Sequence, residues 1–165
     1  MTKLQFVSFV VAWVVTVASP ASAWEVVPKN NSPDVQAVLG MRMANGLRLG
    51  LIIDFTKKWD CRPSLSVLEF TGENLVCFIG SALLPSEKTT ISAGSASATF
   101  IPYVARYSNG VERICNEEQC GPVILALTLA KYPPRVIFPG RRVYEFPLVQ
   151  DASAIQRAQS LCERN

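Results

Sequence analysis

Histidine is missing from the whole chain. That excludes a Ser-His-Asp triad, a Cys-His dyad and a His-ligated zinc site built from these residues alone. Cys-x-x-Cys is absent, and with it the usual redox motif. Gly80-Ser81 lacks the second glycine of a nucleophile elbow, and no Ser-x-x-Lys, Walker loop or dinucleotide fingerprint occurs. Charge of one sign is scarce: 16 basic residues stand against 13 acidic ones, a net +3. This balance is too small to argue for nucleic acid or a strongly anionic partner. Long apolar runs are lacking as well. The uncharged run Leu4 to Ala18 has 15 residues, short of the roughly 20 that a spanning helix needs.

That run reads instead as an export signal. Lys3 precedes it, and Ala21-Ser22-Ala23 ends it in the small-x-small pattern that signal peptidase reads. Residues 1–23 are expected to be removed. Taking 23 from 165 leaves 142, residues 24–165, enough for one domain with one core. The expected location is periplasmic or extracellular, with no stable membrane anchor.

All five cysteines, Cys61, Cys77, Cys115, Cys120 and Cys162, follow the signal. In an oxidising compartment disulfides are the default, and an odd count leaves one thiol. Four residues separate Cys115 from Cys120, so a tight turn brings them into bonding range. For Cys162 the partner is Cys61 or Cys77. Cys61 is preferred, since a helix end meets a strand end more easily than a strand centre. Cys77 would then be a buried free thiol.

The patterning predicts a mainly β protein, α+β at the margin: an antiparallel sandwich or barrel-like core with a C-terminal amphipathic helix. Leu39, Met41 and Met43, then Leu47, Leu49, Leu51 and Ile53, alternate around Ala44-Asn45-Gly46. A three-residue loop with Gly46 left-handed keeps the apolar faces in register. A helix from Ser32 to Gly46 competes, with Ser32 as cap and Pro33 at the first position. Residues 65–70 and 75–79 predict a hairpin about Gly72-Glu73 that carries Cys77 into the core. Residues 92–99 read as a flexible loop or a flat strand. Residues 100–107 and 111–115 predict a further hairpin, and 135–138 with 142–146 another. Pro122 at a first helical position and Pro133-Pro134 beyond the end predict a helix over the run 123–132, with a strand as the competing reading because Val, Ile and Thr fill the run. Ile155, Ala158, Leu161 and Cys162 fall on one helical face behind Asp151, a candidate cap.

The stretch Ile114-Cys115-Asn116-Glu117-Glu118-Gln119-Cys120, the apolar run through Leu129, Val136 to Phe138, Tyr144 to Leu148 and Ala154-Ile155 together resemble small exported bacterial proteins of the invasion-associated locus B type. The family's Trp-x-x-x-Cys appears here as Trp59-Asp60-Cys61, and Gln119 stands at its glycine. The resemblance implies a secreted β-rich domain without a described active site. It carries over no catalytic residue.

Two groups remain as candidate sites. Asn116, Glu117, Glu118 and Gln119, in a protruding Cys115–Cys120 loop, would meet a basic partner or simply be solvated. Lys131, Arg135, Arg141 and Arg142 would hold an anionic group or protect strand and helix ends. Asp54 and Asp60 beside Lys57 and Lys58 read as a charged turn. No catalytic residue, metal or cofactor is implied. The expectation is a non-enzymatic interaction protein acting on another envelope or secreted protein, an inhibitor or immunity role being one form of it. The rivals are a small-ligand carrier with a cavity lined by Met41, Leu47 and Phe78, and a His-free envelope hydrolase with converging carboxylates.

Overall fold

The computed structural model describes residues 23–165 except 30–31, 84–86, 116, 130 and 150, and leaves aside the side chains of Leu83, Glu117 and Arg141. Residues 1–22 of the expected export signal lie outside the described residues.

Strand β1 (Glu25–Pro28) leads into a hairpin of β2 (Val35–Arg42) and β3 (Leu47–Phe55). The alternation wins over the helix because it buries Val35, Ala37 and Leu39 together on one side. Met43 N–H donates to Leu47 O at 2.8 Å across Ala44-Asn45-Gly46, with Gly46 at φ +81°. Asn45 Oδ1 accepts the Leu47 N–H at 3.1 Å, which tightens the loop. Arg42 and Arg48 stand opposite each other, as the loop length requires.

Next come β4 (Pro63–Thr71) and β5 (Phe78–Leu83), and here the expected 65–79 hairpin is corrected. β4 is flanked by β3 and by β9 (Gly110–Cys115), whereas β5 pairs with β8 (Tyr103–Tyr107). The cause sits in the β8–β9 turn. Asn109 Nδ2 donates to Thr71 O and to Asn74 O, and Asn109 Oδ1 accepts the Val76 N–H at 2.8 Å. These bonds hold 72–77 as an irregular loop over the hairpin end. Cys77, at φ +42°, is therefore an exposed free thiol and not a core residue.

The low-complexity segment folds as a second hairpin, β6 (Thr89–Ala93) with β7 (Ala96–Phe100). It turns at Gly94, where φ is +64° and the Tyr132 ring fills the place of a Cβ. Helix α1 (Glu117–Thr128) begins five residues before Pro122, the expected first position, so Pro122 falls inside it and withholds one amide from its ladder. It also ends before Lys131. Then follow β10 (Pro134–Ile137), β11 (Val143–Glu145) and α2 (Ser153–Arg164). Asp151 Oδ1 accepts the Ser153 N–H at 2.8 Å at the mouth of α2.

Two open antiparallel sheets result, not a closed barrel. The seven-stranded one runs β1-β2-β3-β4-β9-β8-β5, and the four-stranded one runs β11-β10-β6-β7. One face of the large sheet shares a single core with the small sheet and both helices: Leu51 and Val67 join Ile91, Phe138, Val123 and Ile155.

Two disulfides tie this core. Cys61 is joined to Cys162, and Cys115 to Cys120, with all four residues buried. The expectation of a protruding 115–120 loop is thus corrected. Cys120 is in the first turn of α1, and its bridge lies beneath that helix. Replacing Cys115 and Cys120 by alanine removes a short loop closure, about 2 kcal/mol in the chain-entropy account. Replacing both by serine adds two buried hydroxyls at about 1–3 kcal/mol each when unpartnered. Urea unfolding should rank native above the alanine pair and the alanine pair above the serine pair. Equal stability of the two variants would indicate a solvated loop instead.

Candidate site on the open face of the seven-stranded sheet

Because side chains alternate along each strand, the large sheet has a second face. It carries Gln36, Arg48, Ile52, Asp54, Ser66, Leu68, Phe70, Glu112 and Tyr107. Both helices and the small sheet pack on the other side. Among the described residues, the chain that reaches over this face is the 72–77 loop. Leu75 packs on Ile52, Leu68 and Phe70, and Glu73 pairs with Arg48 at 2.6 Å.

The polar residues form a diagonal across five strands. Gln36 on β2 is directly opposite Asp54 on β3. Lys29, just after β1, holds Asp54 Oδ2 at 2.7 Å. Ser66 Oγ on β4 donates to Glu112 Oε1 on β9 at 2.8 Å, and the Tyr107 hydroxyl on β8 donates to Oε2 at 3.4 Å. Gln36 is 4% exposed, and its Oε1 and the buried Asp54 Oδ1 accept no hydrogen bond.

Burial pushes the Glu112 carboxyl above the usual carboxylate range. The Ser66 hydrogen bond partly offsets this, and the Asp54 charge adds to it. Tyr107 is pushed up to about 12, first by burial and then by the Glu112 charge. A carboxyl with a raised folded pKa keeps its proton longer in the folded state. Its contribution is fully present below the ordinary glutamate range and is lost as pH rises through the folded value. Glu112→Gln should remove that loss, giving a flatter stability profile up to neutrality and a higher Tm at pH 7. A variant with the native slope would show that another group sets the pH dependence.

At one end of the sheet, β5 is an edge strand with large apolar residues in water. Phe78 is 58% exposed, Ile79 69%, and Val76 and Tyr103 are exposed as well. Phe78 meets Tyr107 edge to face at 5.6 Å, so the apolar edge continues into the polar diagonal. The ladder slips between Phe78 and Gly80, which turns Ile79 outward.

The residues singled out from sequence lie elsewhere. Asn116 is outside the described residues. The Glu117 backbone opens α1, and Glu118 and Gln119 are exposed in its first turn. Gln119 also lines an open groove of about 310 Å³ with Lys88, Thr99, Phe100 and Ile101. The basic set does not assemble. Arg135 pairs with Glu145 at 3.3 Å, and Arg142 with Glu69 at 2.7 Å. Lys131 is exposed beyond α1, and Arg141 belongs to a single 3-10 turn. Cross-strand pairing across β10–β11 explains the first pair. Asp54 is a β3 residue and not part of the 56–60 turn. Among the described residues no three of Cys, Asp and Glu gather as a metal site.

Comparison with protein-family models, with curated proteins and with solved structures finds no match.

Proposed function

We propose that the protein is an exported, non-catalytic binding protein. It engages another envelope or secreted protein through the β5 edge and the adjoining open sheet face. The observation that carries this reading is exposed Phe78 and Ile79 on the edge strand β5, with exposed Val76 just before it in the 72–77 loop and exposed Tyr103 on the neighbouring β8. Contiguous apolar surface of this kind marks interaction sites. An edge strand also offers unpaired backbone groups to a partner's extended segment. The two disulfides, and the lack of a membrane-spanning helix among the described residues, fit an exported protein. Residues 1–23 would supply the export signal. The resemblance of residues 114–155 to secreted β-rich domains points the same way. An inhibitor or immunity role is one form of this activity. The carrier reading has less support: Met41 and Leu47 pack against the core while Phe78 is at the surface, so the three do not line one cavity.

The test compares the native protein with Phe78→Ser/Ile79→Ser as bait on the cell's own envelope fraction. A captured protein is identified, purified and rebound. Affinity should fall at least about tenfold in the variant, as for loss of interface anchors. The bound partner should also shield Cys77 from alkylation. Equal affinity of the variant, or an unshielded Cys77, would remove β5 from the interface.

A further inference from the structure

Helix α1 keeps an apolar face in water. Pro122, Leu125 and Leu129 fall at helical spacing on its outer side. The Leu129 N–H donates to Leu125 O at 3.2 Å, so the last turn carries on to Leu129. Leu125 is 63% exposed and Leu129 57%. The inner side is committed to the core through Cys120, Val123, Ile124 and Leu127. A helix that is apolar on both sides is ordinarily covered on both. Here only the inner side is.

The outer face is shaped to fit a copy of itself. Glu118, Gly121, Pro122 and Leu125 stand at i, i+3, i+4 and i+7 and outline one hole. A Cβ at Gly121 would meet nothing within 4 Å, so the hole is deep on that side. Leu129, one turn past Leu125, is the matching knob. When two copies pack α1 antiparallel, with Leu125 on Leu125 at a two-fold axis, Leu129 of each enters the hole of the other. Such a contact uses the same patch twice and closes on itself.

Charge selects the direction. Glu118 is exposed in the first turn and Lys131 is exposed two residues past Leu129. Neither enters an ion pair among the described residues. The antiparallel pair sets each Glu118 beside the other copy's Lys131 and opposes the two helix dipoles. A parallel pair would set like charges together at both ends.

We propose that the outer face of α1 pairs with the same face of a second copy of this chain, antiparallel, as a two-fold dimer. α1 packs on the side of the large sheet away from its open face, so this inference stands apart from the β5 binding reading. One helix pair buries less than the roughly 1,200 Å² of a standard interface. The dimer is therefore weak, with a dissociation constant on the order of 0.1 mM.

Sedimentation velocity of the purified protein, from about 10 μM to about 1 mM, tests this. A Cys77→Ser background removes intermolecular bonding at the exposed thiol. The mass should rise from monomer towards dimer over that range. Leu125→Lys should hold the protein monomeric. Gly121→Gln fills the hole with a better helix former, so it should weaken association at least about tenfold while the Tm holds or rises. Glu118→Lys or Lys131→Glu alone should weaken it about threefold or more, since each creates two like-charge contacts, and the two together should restore it. Phe78→Ser/Ile79→Ser should leave the dimer intact. A protein still monomeric at the top of the range would overturn the proposal. So would a dimer that survives Leu125→Lys, a dimer lost in Phe78→Ser/Ile79→Ser, or a double charge exchange that fails to restore the pair.

Discussion

Replacing Cys61 and Cys162 together by alanine is expected to lower the unfolding free energy by about 5 kcal/mol. The bridge spans 101 residues of sequence, from the loop before β4 to the last turn of α2. Most of the chain lies inside the closed loop, so cutting it frees a large unfolded ensemble. In the chain-entropy account a loop of about 100 residues is worth close to 4.7 kcal/mol. Both residues are buried, and alanine at each leaves a small void that adds to the loss. Urea unfolding measures the difference. A larger slope against denaturant should accompany it, because the unfolded chain is no longer crosslinked and exposes more surface. Lys57 Nζ also reaches the carbonyls of Cys162 and Glu163, at 3.3 and 3.1 Å. Without the bridge that exposed contact is a weak tether, and α2 should exchange its amide hydrogens faster than the sheet does. A loss below about 1 kcal/mol would mean that α2 docks by its apolar face alone.

Phe138→Ala should cost about 3–5 kcal/mol, the range for emptying an aromatic site in a core. Phe138 is 2% exposed and directly follows β10 of the small sheet. Its ring packs edge to face on Tyr144 at 5.6 Å. The Arg113 guanidinium of the large sheet lies over it, 4.6 Å from the ring centre. The side chain therefore joins the two sheets through both packing and a cation–π contact. Its removal also takes support from Arg113, which is buried and shares Glu69 with Arg142. Phe78→Ala is the control, since that side chain is 58% exposed and its loss should stay within about 0.5 kcal/mol. If the two substitutions cost the same, the sheets do not meet at Phe138.

Local rules carried far along this chain. Alternation and the Asn45-Gly46 loop were enough for the β2–β3 hairpin, because pairing in register buries one face at once. The spacing of Ile155, Ala158 and Cys162 was enough for α2, although its N-cap is Ala152 and not Asp151, which stands one residue further out. The reading failed at residues 72–77. There the deciding bonds come from Asn109, more than thirty residues away, and short-range pattern has no access to them. It failed again at Cys115–Cys120, where spacing permits a tight link but does not say which structure covers it.

The candidate site was not legible. A lone Gln36 between Val35 and Ala37, or Ser66 between Leu65 and Val67, is what any half-covered strand displays. Alternation therefore states that each strand has a polar side, and it states this strand by strand. Which strands become neighbours, and in what register, is a property of long-range pairing. Only that pairing puts Gln36 against Asp54 and Ser66 against Glu112, and leaves two acceptors buried without donors. The same holds for β5. Its apolar composition suggests an interior strand, but its place in the strand order makes it an edge and leaves Phe78 and Ile79 in water.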